Sequence, residues 1–150
     1  MHDHINRLLT DFGNALGLEG LSLDENGYCC LSFDEVVVNI ESVGESSLVL
    51  LYSSLGVLPE DAGSEVYRRL LGANYFFQGT AGATIGLDEA TGAVAITRVV
   101  DAAGMEVLDW EGVIKAFVDA AESCAQLLQG PAESAGPSQQ RPQYSHLIRG

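Results

Sequence analysis

Basic side chains are scarce in this chain. Seven Lys and Arg stand against 21 Asp and Glu, a formal net charge of -14. A surface that negative repels phosphate backbones and anionic lipid headgroups, which argues against nucleic-acid or membrane-surface binding and suits a basic or loosely folded partner. Histidine is scarcer still: His2, His4 and His146 all fall in the outer stretches of the sequence. A Ser, Cys or Thr nucleophile would have to draw its base from one of those stretches, so no catalytic residues are assigned and no enzyme is expected. Cysteine is low and odd in number (Cys29, Cys30 and Cys124), with neither a CxxC pair nor a His-containing ligand set. Buried, reduced thiols are the expectation, without disulfide, metal or cofactor. No apolar run approaches the roughly 18 residues of a membrane span. Met1-His2-Asp3-His4 also lacks the basic start of a secretory signal, so a cytoplasmic location is expected.

What is present is enough apolar material for a core. Hydrophobic residues make up 47% of 150, which fits one folded domain and excludes global disorder. Ile5, Leu8, Leu9, Phe12 and Leu16 recur at helical spacing behind Asp3, a candidate N-cap, and Gly17 is a natural stop. Leu21 and Leu23 alternate with polar residues, and Asp24-Glu25-Asn26-Gly27 is turn chemistry. Tyr28 to Phe33, Val36 to Ile40 and Leu48 to Leu55 then read as an antiparallel meander. Pro59-Glu60-Asp61 opens a second helix, and Val66, Tyr67, Leu70, Leu71, Phe76 and Phe77 give it apolar girth on more than one side. Strands over about 83–87 and 93–100 and a helix from about Asp109 to Gln129 complete the order α-β-β-β-α-β-β-α. The expected fold is an α+β sandwich, a twisted antiparallel sheet packed with helices. Residues 1–130 form the expected domain, and the Pro-, Ser- and Gln-rich residues 131–150 the expected flexible tail, with Tyr144, Leu147 and Ile148 near its end.

Several patterns imitate chemistry. The acidic pairs Asp24-Glu25, Asp34-Glu35, Glu60-Asp61 and Asp88-Glu89 sit in turns, where neighbouring carboxylates point into water and do not face one another across a pocket. Asp24-x-Asn26-Gly27 lacks the 12-residue spacing and closing Glu of a calcium loop. Residues 79–86 are Gly-rich, but no Lys and no helix follow, so they form a turn into a strand and not a phosphate cradle.

Taken in order, Arg7-Leu8-Leu9-x-x-Phe12, Leu21 to Gly27, Leu70-Leu71-x-Ala73-Asn74, and Leu87-Asp88-x-x-x-Gly92 with the apolar strand behind it resemble one family over about residues 3 to 129. That family is the small acidic chaperones of bacterial type III secretion, the Tir-chaperone or CesT-like class. The resemblance implies a homodimer that needs no ATP, keeps the N-terminal segment of a secreted effector extended and presents it for export. Partners would be one or more effectors and a second copy, with the ATPase of the export apparatus an open third. Cargo would lie on Leu8, Phe12, Leu23, Tyr28, Leu31 and Phe33. The dimer contact would map to Val66, Leu70, Ala73, Phe76, Phe77, Ile85 and Leu87. Two other readings stand beside this one: a partner-switching chaperone that sequesters a regulator of secretion genes, and a small-ligand-binding α+β domain, which would need a pocket with converging polar groups.

Overall fold

A computed structural model describes residues 2–129. The expected tail, with Tyr144, His146, Leu147 and Ile148, lies outside the described residues. The elements are α1 (Asp3–Ala15), β1 (Tyr28–Phe33), β2 (Val36–Ser42), β3 (Leu48–Val57), α2 (Ser64–Asn74), β4 (Thr84–Leu87), β5 (Ala93–Asp101) and α3 (Val107–Leu127). All neighbouring strands pair antiparallel in one five-stranded sheet, ordered β1-β2-β3-β5-β4.

Alternation decides which sheet face is covered. In β2, Val36, Val38 and Ile40 are buried while Val37 is exposed, and the pairing Ile40↔Leu51 carries the buried row into β3. Val49, Leu51, Val94 and Ile96 continue it, and Leu9, Trp110, Ile114 and Phe117 from α1 and α3 close the core over that face. At about 25 cal/mol per Å² of apolar surface, each such side chain contributes roughly 1.5–3 kcal/mol when buried. The opposite face, with Tyr28, Cys30, Asn39, Tyr52, Thr97 and Val99, carries side chains that are half-buried or exposed.

Two of the signature motifs have a structural reason. Asn74, the last residue of α2, donates from Nδ2 to the Ile85 carbonyl (3.2 Å) and accepts the Ile85 N–H at Oδ1 (2.9 Å). Its side chain thereby stands in for a neighbouring strand along the outer edge of β4. In the β4–β5 turn, Asp88 accepts from the Ala90 N–H (3.0 Å) and the Thr91 hydroxyl (3.0 Å). Gly92 closes that turn at φ 80°, and a Cβ there would stand 2.6 Å from the Leu58 carbonyl, so glycine is required twice over.

Some boundaries differ from the expectation. Helix α1 takes His2 as its N-cap, and Asp3 is its first helical residue. His2 and His4 are half-buried, and each ring Nε2 donates to a carbonyl, of Gly44 (3.1 Å) and Ala102 (3.1 Å). They anchor α1 to two distant turns and are not solvated end residues. Leu16 leaves the helical face and is exposed at the C-cap. Helix α2 starts at Ser64, because residues 59–63 turn before it with Gly63 extended as N-cap. Helix α3 starts at Val107, where Glu106 and Asp109 cap each other's backbone N–H groups.

Candidate functional site

Along α1, Asn6 and Thr10 stand one turn apart and hold the following segment against the helix. Asn6 Oδ1 accepts from the Leu23 N–H (2.9 Å), and the Thr10 hydroxyl donates to the Leu21 carbonyl (3.2 Å). Gly13 permits the crossing: a Cβ on it would lie 2.9 Å from both the Leu18 carbonyl oxygen and Leu21 Cβ. The chain thus lays its own Leu21–Leu23 stretch where an extended partner was expected. Leu8, Phe12, Leu23 and Leu31 are buried in the core, whereas Tyr28 and Phe33 are half-buried. Of the six expected cargo residues, only these last two offer surface, and they lie at opposite ends of β1. That strand pairs with β2 on one side only; on its other edge Tyr28 is already taken, its carbonyl accepting from the Asp24 N–H (2.8 Å) and its N–H donating to Asp24 Oδ1 (3.0 Å), so the edge open to a further strand begins beyond it, at Cys30 and Ser32. Leu16 and Leu18, both exposed, lie beyond α1. Sequence reading passed over Asn6 and Thr10; their one signal was a polar pair at i, i+4 inside an amphipathic helix.

Cys29 and Cys30 also lie on β1. Cys30 is exposed and Cys29 half-buried, so only Cys124 meets the expectation of burial. Burial, with Cys30 and Asp24 nearby, pushes the Cys29 thiol up to about 11, and burial raises Cys124. Asp24, the calcium-loop candidate, spends Oδ1 on the N–H groups of Asn26 (2.8 Å) and Tyr28 (3.0 Å) as a turn clasp. Among the described residues no group of three or more His, Cys, Asp or Glu could hold a metal ion. All eight turn carboxylates of the acidic pairs are exposed.

The second surface surrounds the end of α2. Leu70 and Ile85 point into the core, and Val66 and Ala73 are half-buried against it. Outside lie Tyr67, Leu71, Tyr75, Phe76, Phe77 and Leu87, with Leu71 at 69% and Phe76 at 62% exposure. So Phe76, Phe77 and Leu87 are free to meet a second copy, while Leu70 and Ile85 hold the surface from beneath. Leu71, Tyr67 and Tyr75 belong to the same ridge and were missing from the expected contact. Phe76 and Phe77 are not helical: they follow α2 in a short 3-10 turn at φ 52° and 58°. Aromatic residues in the left-handed region cost about 1–3 kcal/mol each, and both rings end up in solvent. An apolar ridge of this kind marks a protein interface.

An open cleft of about 480 Å³ lies beside the start of α3, lined by Arg98, Gly104, Met105, Asp109, Gly112, Val113 and Ala116 among others; Arg98 links it to the turn after α2 by donating to the Ala81 carbonyl (3.4 Å). Asp109 already serves the α3 cap, accepting from the Glu106 N–H (3.0 Å). Among the described residues no helix is long and apolar enough to cross a membrane.

A family model described as the Tir chaperone protein (CesT) family matches residues 7–125. The transcriptional anti-antiactivator ExsC of Pseudomonas aeruginosa is 32% identical over 125 residues, 83% of this chain and 85% of the relative. The crystal structure of the ExsC-ExsE complex superposes with a TM-score of 0.71 at 31% identity, over 89% of this chain and 98% of that one. The HopA1-SchA chaperone-effector complex superposes at 0.67 and 19% identity, over 82% of this chain and 94% of that one, a likeness of fold.

Proposed function

The chain belongs to the Tir chaperone protein (CesT) family and is a type III secretion chaperone; from that premise we propose how it holds its client. An N-terminal segment of a secreted effector lies extended along the free edge of β1 and pairs through backbone hydrogen bonds. Its side chains on the open face reach toward Tyr28, and those on the opposite face toward Phe33. The chaperone works as a homodimer through the α2 ridge, in the bacterial cytoplasm, by binding and without catalysis. The observation that carries this reading is the open β1 edge on a family fold whose other expected cargo positions are filled by the chain itself. Amide hydrogen exchange on the purified chaperone–client complex tests it. Protection of the outward Cys30 and Ser32 amides against the free chaperone is expected; unchanged exchange there would move the client elsewhere.

One comparison favours a second reading. ExsC is named for opposing an antiactivator, and its likeness runs through most of this chain. Carried over, this chaperone exchanges a regulator of secretion genes for a secreted client. The two ligands would then compete, which a labelled-client displacement titration measures; simultaneous binding of both would refute exchange at one surface.

A further inference from the structure

We infer that the cleft beside α3 is the socket for an aromatic knob from a second copy of this chain, so that the dimer interlocks twice. The inference rests on the dimer reading above and names the residues that lock it. Two features carry it, an outward aromatic after α2 and an open groove beside α3. The knob is Phe76, held outward by a left-handed backbone and braced by Tyr75, whose ring packs edge-on at 4.6 Å between centroids. A chain does not hold two successive aromatics in that conformation, facing water, for the benefit of its own core.

The socket is a shallow, open groove of mixed lining, in which Ala103, Met105, Val113 and Ala116 are the apolar members beside Arg98 and Asp109. Gly112 forms part of it, and a Cβ there would meet nothing within 4 Å, so the space above it is open. At its mouth lies Arg98, whose Nη1 donates to the Ala81 carbonyl (3.4 Å). Among the described residues no carboxylate pairs with that guanidinium. The guanidinium packs against Gly82, where a Cβ would lie 3.5 Å from Arg98 Cζ, and its side away from Gly82 is the one that would stack on a ring, an attraction that grows on desolvation. Asp109 and the exposed Glu106 flank the groove, which disfavours an anionic occupant and leaves a neutral aromatic unaffected.

Knob and socket are joined through the turn after α2. The Phe77 carbonyl accepts from the Ala81 N–H (3.3 Å), and Ala81 in turn accepts from Arg98. A knob and a groove linked through one turn suit a two-fold axis, about which each copy would fill the other's groove. The occupant is accordingly a second copy, and Phe76 is its anchor.

The test uses full-length chain with Cys29 and Cys30 replaced by Ser. Phe76→Cys and Gly112→Cys chains are co-expressed and treated with a short bis-maleimide. A covalent dimer is expected from the pair, well above the yield of either variant alone or of Phe76→Cys with Val37→Cys. In parallel, Gly112→Leu places bulk over the groove from a position whose Cβ meets nothing within 4 Å. It should weaken dimerisation by at least about tenfold in sedimentation equilibrium, the loss typical of removing an interface anchor, with an unchanged circular dichroism spectrum. A wild-type protein that is monomeric at micromolar concentration overturns both the dimer reading and this inference. A wild-type dimer with neither cross-link nor weakening by Gly112→Leu overturns the inference alone and gives the groove to another occupant.

Discussion

Replacing Asn74 by alanine strips the outer edge of β4 of both its partners at once. The Ile85 N–H and carbonyl lose their hydrogen bonds of 2.9 and 3.2 Å, and Ile85 is 8% exposed, so water reaches them poorly. Two bonds at about 0.5–1.5 kcal/mol each, with part of the desolvation cost of the orphaned groups, give a loss of about 2–3 kcal/mol. For a domain of this size that lowers Tm by about 4–10 °C. Asn74→Asp separates the two bonds. It keeps the acceptor for the Ile85 N–H but sets a second carboxylate oxygen against the Ile85 carbonyl, which it can no longer serve as donor. Its cost should be smaller than that of alanine, and should shrink relative to wild type on acidification, once the protonated carboxyl donates. The assays are guanidinium unfolding at fixed protein concentration and amide exchange at Ile85 by NMR. An Asn74→Ala protein within 0.5 kcal/mol of wild type, a margin ordinary for neutral surface substitutions, with Ile85 exchange no faster, would refute the account of this motif.

Gly13→Ala should destabilise by about 1–2 kcal/mol in the same unfolding assay, although alanine is the better helix former, because its methyl meets backbone and Leu21 at 2.9 Å; a gain in stability would show that the crossing segment yields freely. Asn6→Ala should cost about 1 kcal/mol and speed exchange of the Leu23 amide; an unchanged rate there would mean that the bond does not hold the segment. With a thiol reagent at pH 8, Cys30 should react first, with Cys29 and Cys124 slow because burial keeps them protonated. The raised Cys29 value also adds stability that is complete below its ordinary pKa of 9.0 and is lost as pH rises toward about 11. Three thiols of equal rate at pH 8 would contradict the described burial.

The strands and their succession along the chain were legible because burial on one face writes itself as alternation, as in Val36-Val37-Val38-Asn39-Ile40, whereas the pairing of β3 with β5 was not. Helix α1 was legible for the same reason at helical spacing. Periodicity records that a side chain is covered, but not by what. Leu8, Phe12, Leu23 and Leu31 show the pattern of a groove and of a core alike, and only the placement of residues 21–23 by Asn6 and Thr10 decides for the core. The ridge at the end of α2 was partly legible from apolar girth. Its shape was not, since left-handed Phe76 and Phe77 follow from tertiary fixing at Asn74 and Gly79 and contradict local preference. Cys30 was misplaced because a thiol resembles a small apolar residue in sequence, while its alternation partner Asn39 lies on the open face.

The strand order also sets a timetable for the chaperone's own folding. Strands β1 to β3 follow one another and can pair as they are made, but β3 waits for β5, joining Leu48 to Asp101 and Val57 to Ala93. Closing that long loop is the slow, entropically costly step. Until residue 101 has left the ribosome, the inner row from Val38 to Leu55 has no far side. The nascent chain meanwhile displays an apolar half-sheet, of the kind that invites association. Protection of clients thus begins only after the protector has passed through the same exposure itself.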